Sequence, residues 1–190
     1  GRHTLRVVAI DADGHAGTQT ASDLCVRSEV PDNGNACFEN IAPPALVISL
    51  GWDTPVDLDL KVTTPLGTVI ENKRPASGPT NPNGTVDTSQ PDSGQLDIDS
   101  NRDSAIDGRQ RENVVFQQLP PVGVYGVYAN LSRSCGLDSV SYFATYQLLT
   151  NAEEGTFGTS EHDIGAGALL APQANADTQL GTFVGELRIQ

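Results

Sequence analysis

Aspartates that alternate with apolar residues are the side chains of this chain best spaced for chemistry. In the stretch VDLDLKV, Asp57 and Asp59 alternate with valine and leucine, and in LDID, Asp97 and Asp99 alternate in the same way with leucine and isoleucine. Alternate residues of a strand share one face, so each pair of aspartates lies on one face with Cα atoms ~6.6 Å apart. If the two strands are neighbours, four carboxylates share one small surface. Each close pair then costs about 1 kcal/mol even in bulk water, so we expect a cation there.

The loop after the second pair offers further oxygen ligands. Side-chain oxygens occupy its positions one, three, five and nine, the spacing with which a single turn of chain wraps calcium. The match is partial, because Ser104 stands where such loops favour glycine and Gln110 where they use a bidentate carboxylate, for which Glu112 is the expected substitute. The sequence therefore predicts a Ca²⁺ site formed by Asp57, Asp59, Asp97, Asp99, Asn101, Asp103, Asp107 and Glu112.

Two other interpretations of these carboxylates stay open. The loop DSNRD has the composition of an ordinary polar turn with Asx caps. Arg102, Arg109 and Arg111 are close enough in sequence to neutralise the aspartates by salt bridges without a metal. The arginines alternate out of step with the aspartates, which favours a solvent-facing position for them. A hard cation with oxygen ligands, calcium rather than magnesium, remains the leading prediction.

Enzymatic chemistry is not indicated by the motifs. The segment Ser160–Asp163 (SEHD) holds the three residue types of a hydrolase triad, but adjacent residues in a loop do not form the required geometry. The sequence has no glycine-rich phosphate loop, His-Glu-x-x-His or Gly-x-Ser-x-Gly motif. Paired carboxylates also suit glycoside cleavage, which needs one acid in an apolar pocket, whereas these cluster with like charges. We expect a non-enzymatic protein.

The elements that position these residues are predicted to be strands. Short β-branched and alternating runs separated by glycine and proline predict an all-β fold, a β-sandwich of Greek-key topology, immunoglobulin-like or jelly-roll-like. Two long loops, 75–94 and 151–179, interrupt the runs, and the apolar stretch 164–171 in the second suggests a short helix. The strand candidates are Leu46–Leu50, Val56–Val62, Thr68–Ile70, Leu96–Ile98, Val114–Phe116, Val122–Leu131, Val140–Leu149 and Thr182–Ile189.

One tyrosine is predicted to hold a crossing between strands. In LPPVGVYGV, Tyr125 follows a proline pair and a glycine, the pattern of a Greek-key corner in which a tyrosine packs inward. We expect its hydroxyl to bond back to the preceding chain.

The amino-terminal part is predicted to be a hairpin and a stapled connector. The run Thr4–Ile10, an Asp-Gly turn and the stretch 17–21 form the hairpin, which is either the tail of a preceding immunoglobulin-like domain or an addition to the next one. Cys25 and Cys37 flank the turn PDNG and are the preferred disulfide, with a bridge from Cys135 to either as the rival. The predicted domains are therefore residues 1–44 and residues 45–190.

Charge and composition limit the partners. Eleven Lys and Arg against 24 Asp and Glu give a formal charge of −13, which disfavours nucleic acid and anionic membranes. No apolar run is long enough for a membrane helix, so membrane insertion is not expected of this piece. The chain contains no Met and begins directly in a strand pattern, as expected of a piece cut from a longer polypeptide. A disulfide favours an extracellular, cell-surface or periplasmic location.

Five segments occur in a fixed order along the chain. They are Leu50–Val62, Pro65–Gly67, Ser93–Asn101, Glu112-Asn113 and Pro121–Val127. Together they resemble the YfaP-like domain family of bacteria, over about residues 45 to 150. The family is found in secreted and surface proteins, and the resemblance implies a β-sandwich in which the acidic motifs sit together, without implying an activity. The loops 75–94 and 104–111 look longer than the family's spacing.

Three functions fit these features. The leading hypothesis is a calcium-rigidified adhesion or spacer module with a protein or glycan partner at the cell surface. An accessory domain of a secreted hydrolase encoded in the same polypeptide is an alternative. A carbohydrate-binding module is another, with stacking platforms among Trp52, Tyr125, Tyr128, Tyr142 and Tyr146.

Overall fold

The computed structural model describes residues 1–87, 90, 92–150 and 157–190. Two short 3₁₀ turns, Arg102–Ser104 and Ala171–Gln173, accompany the strands, and the predicted all-β class is confirmed. The strands are β1 (Arg2–Val7), β2 (Thr20–Cys25), β3 (Leu46–Trp52), β4 (Asp57–Thr63), β5 (Val69–Ile70), β6 (Gly94–Leu96), β7 (Arg111–Phe116), β8 (Gly123–Arg133), β9 (Ser139–Thr150), β10 (Gly158–Leu170) and β11 (Thr182–Ile189).

The strands form a β-sandwich with a separate hairpin. One sheet has the order β10-β9-β3-β7-β6 and the other β11-β8-β4-β5, while β1 and β2 pair with each other. All pairings are antiparallel. Consecutive strands β3 and β4 lie in different sheets, as do β8 and β9, so the chain crosses repeatedly between the layers. The two sheets therefore share one core.

Alternation along β3 and β4 builds the core. Leu58 and Leu60 of β4 and Ile48 and Leu50 of β3 are fully buried in one apolar cluster. Burying each such side chain contributes about 1.5–3 kcal/mol. Because the leucines of β4 face the core, its aspartates lie on the opposite face, as the alternation predicts. That outer face is nevertheless buried by loops, since Asp57 is 2% and Asp59 1% exposed.

Tyr125 closes the predicted corner. Its hydroxyl donates a hydrogen bond of 2.7 Å to the carbonyl of Pro121. Its ring packs edge-on against Phe116 with centroids 5.7 Å apart. The prediction that this side chain packs inward and bonds back to the chain is confirmed.

One strand was missed by the sequence analysis. Residues 158–170 form β10, which pairs along its length with β9, so the expected loop is wrong over these residues, and so is the short helix expected over 164–171. Residues 151–156 of that loop lie outside the described residues. The strand is rich in glycine and alanine, which have low strand propensity, and it is an edge strand with few buried side chains. Its pairing with the preceding strand, β9, decides its conformation.

The predicted amino-terminal hairpin is present, but its strands are Arg2–Val7 and Thr20–Cys25 rather than Thr4–Ile10 and 17–21. Strands β1 and β2 pair from Arg2 with Cys25 to Val7 with Thr20. The sulfur atoms of Cys25 and Cys37 are at disulfide distance, with Cα atoms 5.8 Å apart, and Cys135 is free. The preferred pairing is confirmed.

No helix in the described part of the chain is long and apolar enough to cross a membrane.

Candidate metal centre

Three of the predicted carboxylates converge at one corner of the sandwich. One oxygen from each of Asp57, Asp59 and Asp99 lies within 4.8 Å of the others. Asp57 and Asp59 come from the outer face of β4, in the smaller sheet, and Asp99 comes from the segment that follows β6, in the larger sheet. The group therefore joins the two layers.

A glutamate holds these two elements beside each other. Glu112 of β7 is 1% exposed and accepts hydrogen bonds from the backbone nitrogens of Leu60 and Ser100, at 2.8 Å and 2.9 Å. Strand β5 pairs only with the end of β4, so the Leu60 N–H has no sheet partner on that side. Both carboxylate oxygens of Glu112 are thus used by the backbone, and its role at the site is to position β4 and the segment of Asp99.

The loop of the 3₁₀ turn closes over the group. The backbone nitrogen of Asp103 donates to Oδ2 of Asp57 at 2.9 Å. Asn101 is buried, and its side-chain amide donates to the carbonyls of Val56 and Arg109 at 3.1 Å and 2.8 Å. These bonds fasten the loop to the start of β4, which excludes water from the carboxylates.

Two carboxylate oxygens in this corner have no hydrogen-bond donor within the described part of the chain. Oδ2 of Asp59 accepts a hydrogen bond of 3.0 Å from the side-chain amide of Asn130, whereas its Oδ1 is buried and unpartnered. Oδ1 of Asp99 is unpartnered as well. A buried carboxylate oxygen without a donor is costly, because its hydration is lost and nothing replaces it. The arrangement has the form of a cation site.

The electrostatics of the group agree with its geometry. Burial, together with the charge of neighbouring carboxylates, raises the pKa of Asp57 to about 6 and that of Asp59 to about 7. Burial also raises the pKa of Asp99, while Arg102 opposes the effect. Burial and the charge of Asp59 raise the pKa of Glu112 well above its ordinary value. Ionisation of these groups is therefore unfavourable unless a positive charge binds among them.

The alternative in which arginines neutralise the aspartates by salt bridges is observed only in part. Nε of Arg102 lies 3.6 Å from Oδ2 of Asp99, but the arginine side chain is 73% exposed. Nε of Arg111 lies 3.6 Å from Glu29, away from the group. An exposed, mobile guanidinium offsets little of the cost of buried charge. Asp57 and Asp59 have no arginine partner within the described residues.

The other predicted ligands bind groups outside the cluster of Asp57, Asp59 and Asp99. Asp97 is exposed, and its two oxygens accept from the backbone and side-chain nitrogens of Asn113, at 2.9 Å and 2.8 Å. Asp103 points outward and binds Arg133 at 2.8 Å. Asp107 is exposed and accepts from the backbone of Arg109 at 2.9 Å. Asn101 uses its Oδ1 for the backbone nitrogen of Asp107, at 3.1 Å.

The predicted ladder of ligands therefore does not wrap around a single point. Asn101, Asp103 and Ser104 have positive φ angles of 58°, 53° and 65°, so the chain turns sharply there. Such a turn sends successive side chains in different directions. Of the eight predicted residues, Asp57, Asp59 and Asp99 form the group, and Glu112 positions it.

Sequence analysis missed the residues that continue the buried polar face of β4. Lys61 is the next outward side chain after Asp59, and it contacts Asp177 from the segment before β11. The side-chain amide of Asn130 in β8 donates to Asp59 and also to Asp177, the latter at 3.3 Å. The alternation in VDLDLKV predicts that Lys61 lies on the same face of the strand as Asp57 and Asp59. No local pattern marks Asp177.

A second group of acids that could hold a metal lies at the tip of the hairpin. Asp11, Asp13 and His15 are exposed and close together. The Oδ1 of Asp11 accepts from the backbone nitrogens of Asp13 and His15, at 3.0 Å and 2.8 Å, which is the bonding of a polar turn. The Asp-x-Asp-x-His spacing could have drawn attention to it, although the sequence analysis treated it as a turn only.

No family model, curated protein or solved structure matches this chain. The resemblance to the YfaP-like family stays a prediction, and the function has to be inferred from the geometry of the site.

Proposed function

We propose that this chain is a non-catalytic β-sandwich module that binds calcium through Asp57, Asp59 and Asp99 and serves as a spacer or adhesion domain of a secreted or cell-surface protein. One observation carries the proposal. Asp59 is 1% exposed, its Oδ1 has no donor within the described residues, and one of its carboxylate oxygens lies within 4.8 Å of oxygens of Asp57 and Asp99.

The ligand chemistry favours a hard cation. The group contains carboxylate oxygens and no histidine or cysteine, which selects against zinc and copper. Calcium accepts about six to eight oxygens in irregular geometry, so water and nearby oxygens can complete a shell that three carboxylates begin. Magnesium requires a nearly ideal octahedron and keeps its own water more strongly. Calcium is therefore the better match for a corner built from a strand and a loop.

Calcium in this corner would stiffen the module. It would connect β4 of one sheet to the segment after β6 of the other, and the 3₁₀ loop that caps the group would be ordered with it. Because a cation bound only by the folded state adds its binding free energy to folding, the module becomes more stable when calcium is present. Such a device suits a domain that has to keep its shape outside the cell, where calcium is abundant.

The disulfide-distance cysteine pair supports an oxidising location. Against a carbohydrate-binding function, three of the five candidate platforms, Trp52, Tyr125 and Tyr142, are buried and offer no face to a sugar. The other two, Tyr128 and Tyr146, are half-buried, and their rings contact Phe183 and His162. Against hydrolysis, Ser160 and His162 alternate along β10 with Glu161 and Asp163, so the triad types lie on opposite faces of one strand.

The test is the melting temperature of the purified chain in EDTA and in millimolar calcium, with magnesium in parallel. We expect a rise of several degrees that is specific to calcium and is lost in the double variant Asp57→Ala/Asp99→Ala. The variant Asp11→Asn/Asp13→Asn should keep the rise, because it removes only the hairpin group. A calcium response that survives in the first variant and disappears in the second would refute the proposed site. No response in the unaltered chain would refute the calcium function.

A further inference from the structure

Lys61 is a buried cation with three oxygen partners. Its residue is 2% exposed, although it lies on the outer face of β4, because the segment before β11 covers it. Its Nζ directly contacts Oδ1 of Asp177, lies 2.9 Å from Oε2 of Glu71 and donates to the carbonyl of Gln179 at 2.8 Å. The amine is therefore enclosed between two carboxylates.

Asp177 is buried and contacts two lysines. It is 7% exposed and has a positive φ of 56°, so the backbone turns to direct the side chain inward. Its Oδ2 lies 2.8 Å from Nζ of Lys73, while Oδ1 also accepts a hydrogen bond from Asn130 at 3.3 Å. Oδ1 thus has two donors, whereas Oδ2 has an ion-pair contact with Lys73 and no hydrogen bond within the described residues.

We propose that Lys61 and Asp177 condense to form an intramolecular isopeptide bond, with Glu71 moving the protons. The buried contact between an amine and a carboxyl group, with a second carboxylate at the same nitrogen, supplies the nucleophile, the electrophile and the proton carrier of amide formation.

The step balances without any added reagent. Glu71 takes one proton from the Lys61 ammonium and returns it to Oδ1 of Asp177. The neutral Nζ then attacks Cγ, and the negative charge that develops on Oδ2 is held by the Lys73 ammonium. A second proton passes from Nζ through Glu71 to the Oδ1 hydroxyl, which leaves as water. An ammonium and a carboxylate become an amide and one water molecule, so the net charge does not change.

The fold supplies what this condensation lacks in solution. Fixing the two groups in contact replaces a bimolecular encounter by an intramolecular one, which can accelerate a reaction by several orders of magnitude. The two charges are buried, but their hydrogen bonds and mutual attraction outweigh desolvation, since they raise the pKa of Lys61 and lower that of Asp177. Lys73 contacts the same carboxyl group, but its side chain is 62% exposed, so its amine stays hydrated.

The bond would fasten β4 to the segment that leads into β11, across a sequence separation of 116 residues. It would lock the last strand onto the sheet independently of calcium. A covalent clamp of this kind resists pulling, which suits a surface spacer.

The test is the intact mass of the purified chain after denaturation and reduction, followed by fragmentation of proteolytic peptides. We expect a mass about 18 Da below that of the sequence, from the loss of one water, and a branched peptide that joins Lys61 to Asp177. The variant Lys61→Arg keeps the positive charge but has no attacking amine, so it should show the full mass. The variant Glu71→Gln should remain folded by circular dichroism and show little or no loss of water.

Three results would overturn the proposal. The full mass in the unaltered chain would mean that the pair is an ion pair only. A loss of about 18 Da that persists in Lys61→Arg would assign it to cyclisation at an Asp-Gly sequence, such as Asp13-Gly14 or Asp107-Gly108, which also releases water. A branch mapped to Lys73 would likewise refute the assignment of Lys61.

Discussion

Replacing Asp59 by asparagine is expected to change the stability of the metal-free protein and its calcium response in opposite directions. Asparagine has nearly the shape of aspartate, and one side-chain oxygen can still accept the hydrogen bond from Asn130. Its amide nitrogen then takes the place of the unpartnered Oδ1 and can donate to Asp57 or Asp99. The substitution removes a buried charge and adds a donor where none exists.

The magnitude follows from the pKa of Asp59. Burial and neighbouring charges raise this pKa from 3.8 to about 7. Each unit is worth about 1.4 kcal/mol, so at pH 8 the ionised side chain costs at most about 4 kcal/mol of stability in the absence of metal. For a domain of this size, that corresponds to a melting temperature on the order of 10 °C higher in the variant.

The assay is thermal unfolding at pH 8 of the unaltered chain and of Asp59→Asn, each in EDTA and in calcium. In EDTA the variant should melt at the higher temperature, and calcium should raise only the melting temperature of the unaltered chain. Asp107→Asn is the matched control, since it makes the same chemical change at an exposed residue outside the group. It should alter neither quantity by more than the error.

Either of two outcomes would refute this reasoning. If Asp59→Asn melts at a lower temperature than the unaltered chain in EDTA, the carboxylate is not an uncompensated buried charge. If the variant keeps the full calcium response, Asp59 is not a ligand.

Three further predictions concern pH, the corner tyrosine and the disulfide. Since the folded pKa values of Asp57 and Asp59, about 6 and about 7, exceed their ordinary value of 3.8, stability in EDTA should fall as the pH rises from 4 to 8. Calcium should remove most of that fall in a series of melting curves, and a rise with pH in EDTA would contradict it. Tyr125→Phe loses the bond to Pro121 and should cost about 1 kcal/mol in urea unfolding without affecting the calcium response. Cys25→Ser should expose residues 1–37 to limited proteolysis while the sandwich stays intact; uniform digestion would show that the hairpin supports the core.

Much of the local structure was predictable because it depends on short-range patterns. Period-two alternation placed Asp57 and Asp59 on one face of β4 and Leu58 and Leu60 in the core. The turn between Cys25 and Cys37 predicted their pairing, because a reversal of the chain brings its flanks together. In contrast, β10 has weak strand propensity of its own, and its pairing with the preceding strand β9 decides its conformation.

The membership of the acidic group depended on tertiary structure. The sequence by itself determined which aspartates share a face of one strand. That Asp99 belongs to the group and Asp97 does not depends on the register of β6 with β7 and on the hydrogen bonds between Asp97 and Asn113. Similarly, the contact of Lys61 with Asp177 joins residues far apart in the chain. Strand periodicity is a property of neighbouring residues, whereas the meeting of two sheets and the loop that covers them depend on the packing of the whole chain.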